Sequence, residues 1–517
     1  MKALIVTGTL ARQLVEDNVK QSRTRAEVLS LPTQVAALMT PEYVSSRLRG
    51  MVLQDFDLVM LPGMMRGDVS PVSKKIGIPA FKGPKHAADL PLVLDRLKEI
   101  KLSTVMPACQ LLQDAIRRRA IRELASINKK GVPAMVMGRG SRMLGIGGTS
   151  PMRVLAEIVD ASTMDEKTIA SWARYFADSG AEIVDIGMTA GGGHAKEAQR
   201  AVRAAKRGVS LPVSIDTNDV QEMRAAVRAR ADLILSINAG NMEQVARFAS
   251  RVPVVVTPAS DEKSWPEDAT RRVEQLEENI VQARSLGFRM VIADPVLSPI
   301  FMPSLIESLI AYRNFSRRHP QIPILFGVGN TIELMDGDSA GANLVLAGIA
   351  SELRASILLV TEASDKTRGC VRETSTAARM ATLAKVRGSP PKDLGLDLLI
   401  LKEKRIKQEH YDASLEAGVP LISEARRQRF IHDPKGCFKI ALDRDTKQIV
   451  LHYYVYGDSM PRLVIKGRDP LAMFRAAVGR GLISRLDHAA YLGIELEKAD
   501  VALRTQKSYI QDQPIFL

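Results

Sequence analysis

The sequence predicts an α/β protein: a central (β/α)8 barrel between an N-terminal Rossmann-like α/β layer and a small C-terminal α+β region. Two observations carry that expectation. Apolar runs fall at 153–159, 182–187, 211–216, 232–237, 253–257, 289–294, 322–328 and 356–361. Amphipathic stretches lie between them, those at 167–178, 220–230, 271–286, 305–318 and 341–353 being examples, giving eight strand-then-helix units in about 240 residues, the size of such a barrel. Uninterrupted Val/Ile/Leu runs suit parallel strands covered by helices. A third observation points to a site. Asp185, Asp216 and Asp294 end the second, third and sixth runs, in Glu182-Ile-Val-Asp-Ile-Gly187, Pro212-Val-Ser-Ile-Asp-Thr217 and Val291-Ile-Ala-Asp-Pro295. Groups at the C-terminal ends of parallel barrel strands converge on one face.

Residues 1–145 alternate short strands with helical stretches. Lys2-Ala-Leu-Ile-Val6, Ala26-Glu-Val-Leu-Ser30, Asp57-Leu-Val-Met-Leu61 and Ile78-Pro-Ala-Phe81 read as strands of an open layer of Rossmann-like or flavodoxin-like topology. The loops Thr7-Gly-Thr9 and Pro62-Gly-Met-Met-Arg-Gly-Asp68 suit an anion, but neither forms a G-x-G-x-x-G fingerprint. The barrel is expected over 146–388. A Pro/Gly-rich linker, Arg387-Gly-Ser-Pro-Pro-Lys-Asp-Leu-Gly395, opens the region 389–517, in which a charged stretch at 402–407 precedes the hairpin 437–454 and helices at 470–480 and 488–503.

Composition bounds the function. The 517 residues exceed one ordinary core. No run of eighteen apolar residues marks a membrane span, and the N-terminal strand has no signal-peptide cleavage pattern. Cys109, Cys370 and Cys437 lack disulfide or zinc spacing, so a reducing cytoplasm is expected. The net charge of +14 includes Arg117-Arg-Arg119 and Arg426-Arg-Gln-Arg429, which read as solvated helix faces. With only 4% aromatic residues, no stacking platform for nucleic acid is visible.

Any one of the three aspartates also suits a helix cap. Together with Asn238 after the fourth strand and Asn330 after the seventh, they make an acceptor and donor array without a histidine base. Such an array suits an aminopyrimidinone edge, whose amino and ring N–H groups bond bidentately to a carboxylate. His194, after Gly191-Gly-Gly193, reads as an exposed residue of a flexible loop.

Four motifs in order, Ser179-Gly-Ala-Glu-Ile-Val-Asp-Ile-Gly187, Pro212-Val-Ser-Ile-Asp-Thr217, Ile292-Ala-Asp-Pro295 and Pro323-Ile-Leu-Phe-Gly-Val-Gly329, resemble the pterin-binding family of dihydropteroate synthases and corrinoid-linked pterin methyltransferases. The three-part layout and the runs Gly348-Ile-Ala-Ser-Glu-Leu, Thr361-Glu-Ala-Ser-Asp-Lys-Thr-Arg-Gly369 and Arg372-Glu-Thr374 are similar to the dihydropteroate synthase-related branch found with tetrahydromethanopterin-dependent one-carbon metabolism. The resemblance implies that Asp216 and Asp294 hold a pterin, with Asp185 in the rim and Asn238 nearby. It also implies a transferase that joins a hydroxymethyl-dihydropterin diphosphate to a phosphorylated aromatic amine, and a dimer. The sequence departs from the synthases at the diphosphate end. Glu157 stands for an asparagine after strand one, Gly329-Asn-Thr331 for Ser-Arg-Lys, Leu359-Val-Thr361 for Arg-x-His, and Ser236 for the first asparagine of strand four. Lys366, Arg368 and Arg372, after strand eight, are the substitute phosphate ligands, and Glu157 is the expected ligand of Mg2+. A pterin-dependent methyltransferase and a non-catalytic pterin-binding protein are the alternatives.

Overall fold

The computed structural model describes residues 1–260, 265–403, 416, 418, 420 and 431–516. The basic run 426–429 and the 404–407 part of the charged stretch lie outside the described residues. The chain divides into two compact units, one comprising residues 1–399 and the other the described C-terminal residues 431–516.

The first unit opens with four parallel strands, β1 (Lys2–Gly8), β2 (Arg25–Leu31), β3 (Leu58–Leu61) and β4 (Ala80–Lys82), in the order β2-β1-β3-β4. Alternation sends Leu4, Val6, Val59 and Leu61 to one apolar cluster and Ala3, Ile5, Leu58 and Met60 to another, so both faces of the sheet are covered. The helix Ala108–Lys130 follows. It leaves Arg117, Arg118 and Arg119 largely outside the core and buries Ala120 against Met380, Leu383 and Ala384 of the helix Cys370–Arg387.

Next comes a hairpin, β5 (Met135–Met137) and β6 (Leu144–Ile146), that the sequence pattern does not announce because three-residue strands are too short for a readable period. Met137 and Ile146 pack among Leu155, Ile183, Leu233, Val255, Ile292, Leu325 and Ile357, which face the barrel interior. The hairpin therefore floors the barrel. Arg153 ties it down, with Nε donating to the Gly145 carbonyl at 2.9 Å and Nη1 reaching Glu182 at 2.7 Å. Arg142 adds a bond to the Lys206 carbonyl.

The barrel strands are β7 (Arg153–Ile158), β8 (Ile183–Gly187), β9 (Val213–Asp216), β10 (Leu233–Ile237), β11 (Val254–Val256), β12 (Val291–Ala293), β13 (Leu325–Gly327) and β14 (Ile357–Thr361). Each of the eight expected runs contains one. They form one parallel sheet in the order β12-β11-β10-β9-β8-β7-β14-β13, and a bridge between Ala293 and Ile324 joins its two ends. The outward residues, Val154, Ala156, Val184, Ile186, Ile215 and Ile234 among them, pack under the surrounding helices. The predicted barrel is what the chain adopts.

In the second unit, β15 (Cys437–Asp443), β16 (Gln448–Tyr454) and β17 (Leu463–Gly467) form an antiparallel sheet, followed by the helices Pro470–Gly479 and Leu486–Thr505. Asp443 accepts from the Thr446 amide and so shapes the expected hairpin turn. The third strand escapes sequence reading because it is an edge strand, none of whose residues is fully buried. Among the described residues no helix is long and apolar enough to cross a membrane.

The floor hairpin makes a stability prediction. Ile146 is fully buried, and Ile146→Ala leaves a cavity inside a closed ring of strands that cannot collapse onto it. A loss of about 2–5 kcal/mol is expected, read as a lower midpoint in denaturant unfolding.

Candidate active site

Period-two alternation places the acids. Leu155 faces the barrel interior, and so does Glu157, two residues on. Ile183 and Asp185 repeat the pattern on β8, and Ser214 and Asp216 on β9. The register sets Glu157 opposite Asp185, and Asp185 opposite Ser214. An acidic layer thus lies on an apolar one. One carboxylate oxygen from each of Glu157, Asp185 and Asp216 lies within 4.8 Å of the other two. Asp294, directly after β12, raises the pKa of Asp216 through its charge.

Depth distinguishes the acids. Asp185 is wholly buried, beneath the rim where the sequence places it, while Glu157, Asp216 and Asp294 are partly exposed. The Ser214 hydroxyl donates to Asp185 Oδ1, and Oδ2 is buried without a partner. Glu157 has room because β8 ends in glycine: a Cβ on Gly187 would lie 2.1 Å from Glu157 Oε1.

Burial, and then the charges of Asp216, Asp160 and Glu333, push the Glu157 carboxyl up to about 8. Burial and Asp294 bring Asp216 to about 7. Asp185 lies well above the carboxylate range, from burial first and then Asp216 and Glu157. Asp294 is raised by burial only to about 6, because it accepts from the Tyr312 hydroxyl at 2.7 Å and the Val296 amide at 2.8 Å and feels Arg272. The well therefore stores protons near neutral pH.

The remaining expected residues are not gathered at this layer. Asn238 is buried, and its Oδ1 accepts from the Gly240 amide at 2.9 Å, which shapes its own loop. Asn330 is exposed and donates to the Leu297 carbonyl at 3.1 Å, joining the loops after β13 and β12. Lys366 pairs with exposed Asp336 at 3.0 Å. The charges of Arg368 and Arg372 act on Tyr175, whose hydroxyl donates to Glu362.

Several rim-building groups have no sequence signal. Glu333 accepts from Thr361 Oγ1, the Ala363 amide, Ser364 Oγ and Thr367 Oγ1, at 2.6–3.0 Å, and so fixes the loop that carries Lys366 and Arg368. Buried Glu222 accepts from the His194 amide and Asp219 from that of Gly193. The glycine loop is thus pinned. Gly192, at φ +72°, requires glycine twice over, because a Cβ would lie 2.5 Å from Asp219 Oδ2. Tyr312 and Arg272 sit on helices that read as ordinary amphipathic segments; only the folded barrel turns the first to Asp294 and the second to the carbonyls of Pro266 and Val296.

The raised Glu157 carboxyl has a signed consequence. The folded state keeps a proton that the unfolded chain loses above its ordinary carboxylate pKa, so without ligands stability falls as pH rises from about 4.5 to about 8. Glu157→Gln removes that loss. In chelator at pH 8.5 it should melt above wild type by about 3–8 °C, and the gap should close near pH 4 in a thermal-melt series.

Residues 157–336 match the pterin binding enzyme family. Residues 2–85 match a family of unknown function, DUF6513, and residues 432–512 match the family PterinBD-DUF4346. The uncharacterized protein MJ0107 of Methanocaldococcus jannaschii is 37% identical over 532 residues, covering 100% of this chain and 99% of its own. Two solved structures are similar to about half of the chain. The dihydropteroate synthase of Xanthomonas albilineans in complex with 7,8-dihydropteroate is 22% identical over 48% of this chain and 97% of that one, with a TM-score of 0.39. The dihydropteroate synthase of Thermus thermophilus is 19% identical over 47% of this chain and 97% of that one, with a TM-score of 0.38. The chain therefore belongs to one family with the M. jannaschii protein, and its segment 157–336 matches the pterin binding enzymes.

Proposed function

We propose that this protein is a pterin-dependent transferase of the dihydropteroate synthase type that acts in tetrahydromethanopterin biosynthesis. Its substrates would be 6-hydroxymethyl-7,8-dihydropterin diphosphate and 4-(ribofuranosyl)aminobenzene 5'-phosphate. The observation that carries the reading is the layer of carboxylates at the C-terminal end of the barrel, inside the segment that matches pterin binding enzymes. Asp216 and Asp294 accept the amino and ring N–H groups of the pyrimidine edge. Tyr312 and the Val296 amide hold Asp294 in place for that task.

The reaction forms one bond between the amine nitrogen and the pterin methylene carbon. The carbon–oxygen bond to diphosphate breaks with its electron pair, and the amine loses a proton to water. An aromatic amine is nucleophilic at neutral pH, so positioning and stabilisation of the leaving charge supply the catalysis. Arg368 and Arg372, on the loop after β14 and the helix behind it, are assigned to the phosphate groups, as is Lys366, once it exchanges Asp336 for phosphate. Mg2+ at Glu157 would neutralise charge on the diphosphate, and the hard carboxylate oxygen of Glu157, for which Gly187 leaves room, suits such an ion. Asn238, by shaping its loop, and Asn330, by joining the loops after β13 and β12, are assigned to supporting the pterin rim.

Calorimetric titration of the pterin diphosphate with Mg2+ tests the reading. Wild type should bind, and Asp216→Ala should weaken binding by at least about tenfold, or 1.4 kcal/mol. Binding should also strengthen as pH rises through about 7, where Asp216 becomes an ionised acceptor. Diphosphate release on adding the aromatic amine establishes the synthase, and tight binding without release identifies a pterin-binding protein instead. No binding by wild type removes the pterin reading.

A further inference from the structure

Three carboxylates from adjacent strands meet in the lower part of the well, and no ion pair with Lys, Arg or His reaches any of them among the described residues. Their contacts leave one oxygen unsatisfied. The Ser214 hydroxyl bonds to Asp185 Oδ1, but Oδ2, fully buried, has no donor. A buried carboxylate oxygen without a donor has lost its hydration with nothing in exchange, so a chain that keeps one has a use for it or carries strain. The backbone is also cut to fit: Gly187 is the residue whose side chain would collide with Glu157 Oε1.

A hard divalent cation resolves this geometry. Magnesium binds oxygen at about 2.0–2.1 Å and calcium at about 2.3–2.6 Å. Oxygen ligands of one magnesium ion therefore lie at most about 4.2 Å apart and those of one calcium ion at most about 5.2 Å; one oxygen from each of the trio, all within 4.8 Å of one another, needs at most a small side-chain turn to close on magnesium. We propose that Glu157, Asp185 and Asp216 together hold one divalent cation of the Mg2+/Mn2+ class at the bottom of the well, independently of any diphosphate. The ion is a resident part of the site: it takes the free Asp185 Oδ2, offsets two of three negative charges, and leaves the second oxygen of Asp216 with Asp294 for the substrate. This goes beyond a metal recruited with the diphosphate, in which Asp185 has no part. The cation site needs no pterin and is tested without one.

The experiment is titration of MnCl2 into the chelator-treated full chain, without pterin, near pH 8. It is followed by calorimetry and by loss of the free Mn2+ signal in electron paramagnetic resonance. One Mn2+ per chain is expected. Asp185→Asn and Glu157→Gln should each weaken it by more than about tenfold, while Asp294→Asn, outside the trio, should change it by less than about threefold. Mn2+ should raise the melting temperature of wild type and not that of the two trio variants. If Asp185→Asn does not fold, Glu157→Gln decides alone. No binding by folded wild type at millimolar Mn2+ overturns the proposal and leaves the trio as a proton store. Unchanged affinity in both trio variants overturns it as well, by placing the ion elsewhere.

Discussion

The site depends on one constraint: the interior of a closed parallel barrel has a fixed alternation, and this chain gives its upper interior positions to carboxylates. Leu155, Ile183 and their neighbours fill the lower layer over the floor hairpin. Glu157, Asp185 and Asp216 follow two residues or one register step later. The strands that carry them hydrogen-bond to one another, so the acids cannot move apart to relieve their repulsion. They take protons or a counter-ion instead, and the raised carboxyls are the electrostatic record of that confinement.

Around this fixed layer, acids rather than bases organise the loops. Glu333 gathers four donors from the loop after β14, and Asp219 and Glu222 hold the amides that begin the helix Ala195–Gly208. Each is a carboxylate accepting several N–H or O–H groups, an arrangement that keeps a loop rigid without a hydrophobic core beneath it. For Glu333, burial alone would raise the carboxyl, and its donors outweigh burial and hold it below the ordinary value. At the mouth, Glu333 and Asp219 accept several donors and are held below the ordinary carboxylate value, while Glu157, Asp185 and Asp216 within are raised above it. That contrast separates scaffold from site.

The same rim carries the cations that follow β14. Lys366 is paired, while the charges of Arg368 and Arg372 act on Tyr175 and that of Arg368 on Glu362. Lys366 and Arg368 sit on the loop that Glu333 fixes, and Arg372 on the helix behind it, so the segment after β14 can present positive charge. The well and the cation-bearing loop meet at adjacent strands, β7 and β14, which suits a ligand with an uncharged ring and an anionic tail.

Sequence alone determined the barrel, because eight buried parallel strands must each be apolar on both faces and each helix between them must show a period of its own. It also marked Asp185, Asp216 and Asp294, since an acid closing an apolar run breaks the pattern. Tertiary structure decided the rest. That Asp185 lies deeper than Asp216 follows from strand register, which sets Asp216 opposite Gly187, two residues beyond Asp185, and which no single strand encodes. The partnership of Asp294 with Tyr312 and the clearance of Glu157 over Gly187 are distances between segments far apart in the chain. The floor hairpin is too short to show a period and exists because a barrel with an open end would leave its interior layer wet. Periodicity is local and can be read; proximity across strands arises only when the ring closes.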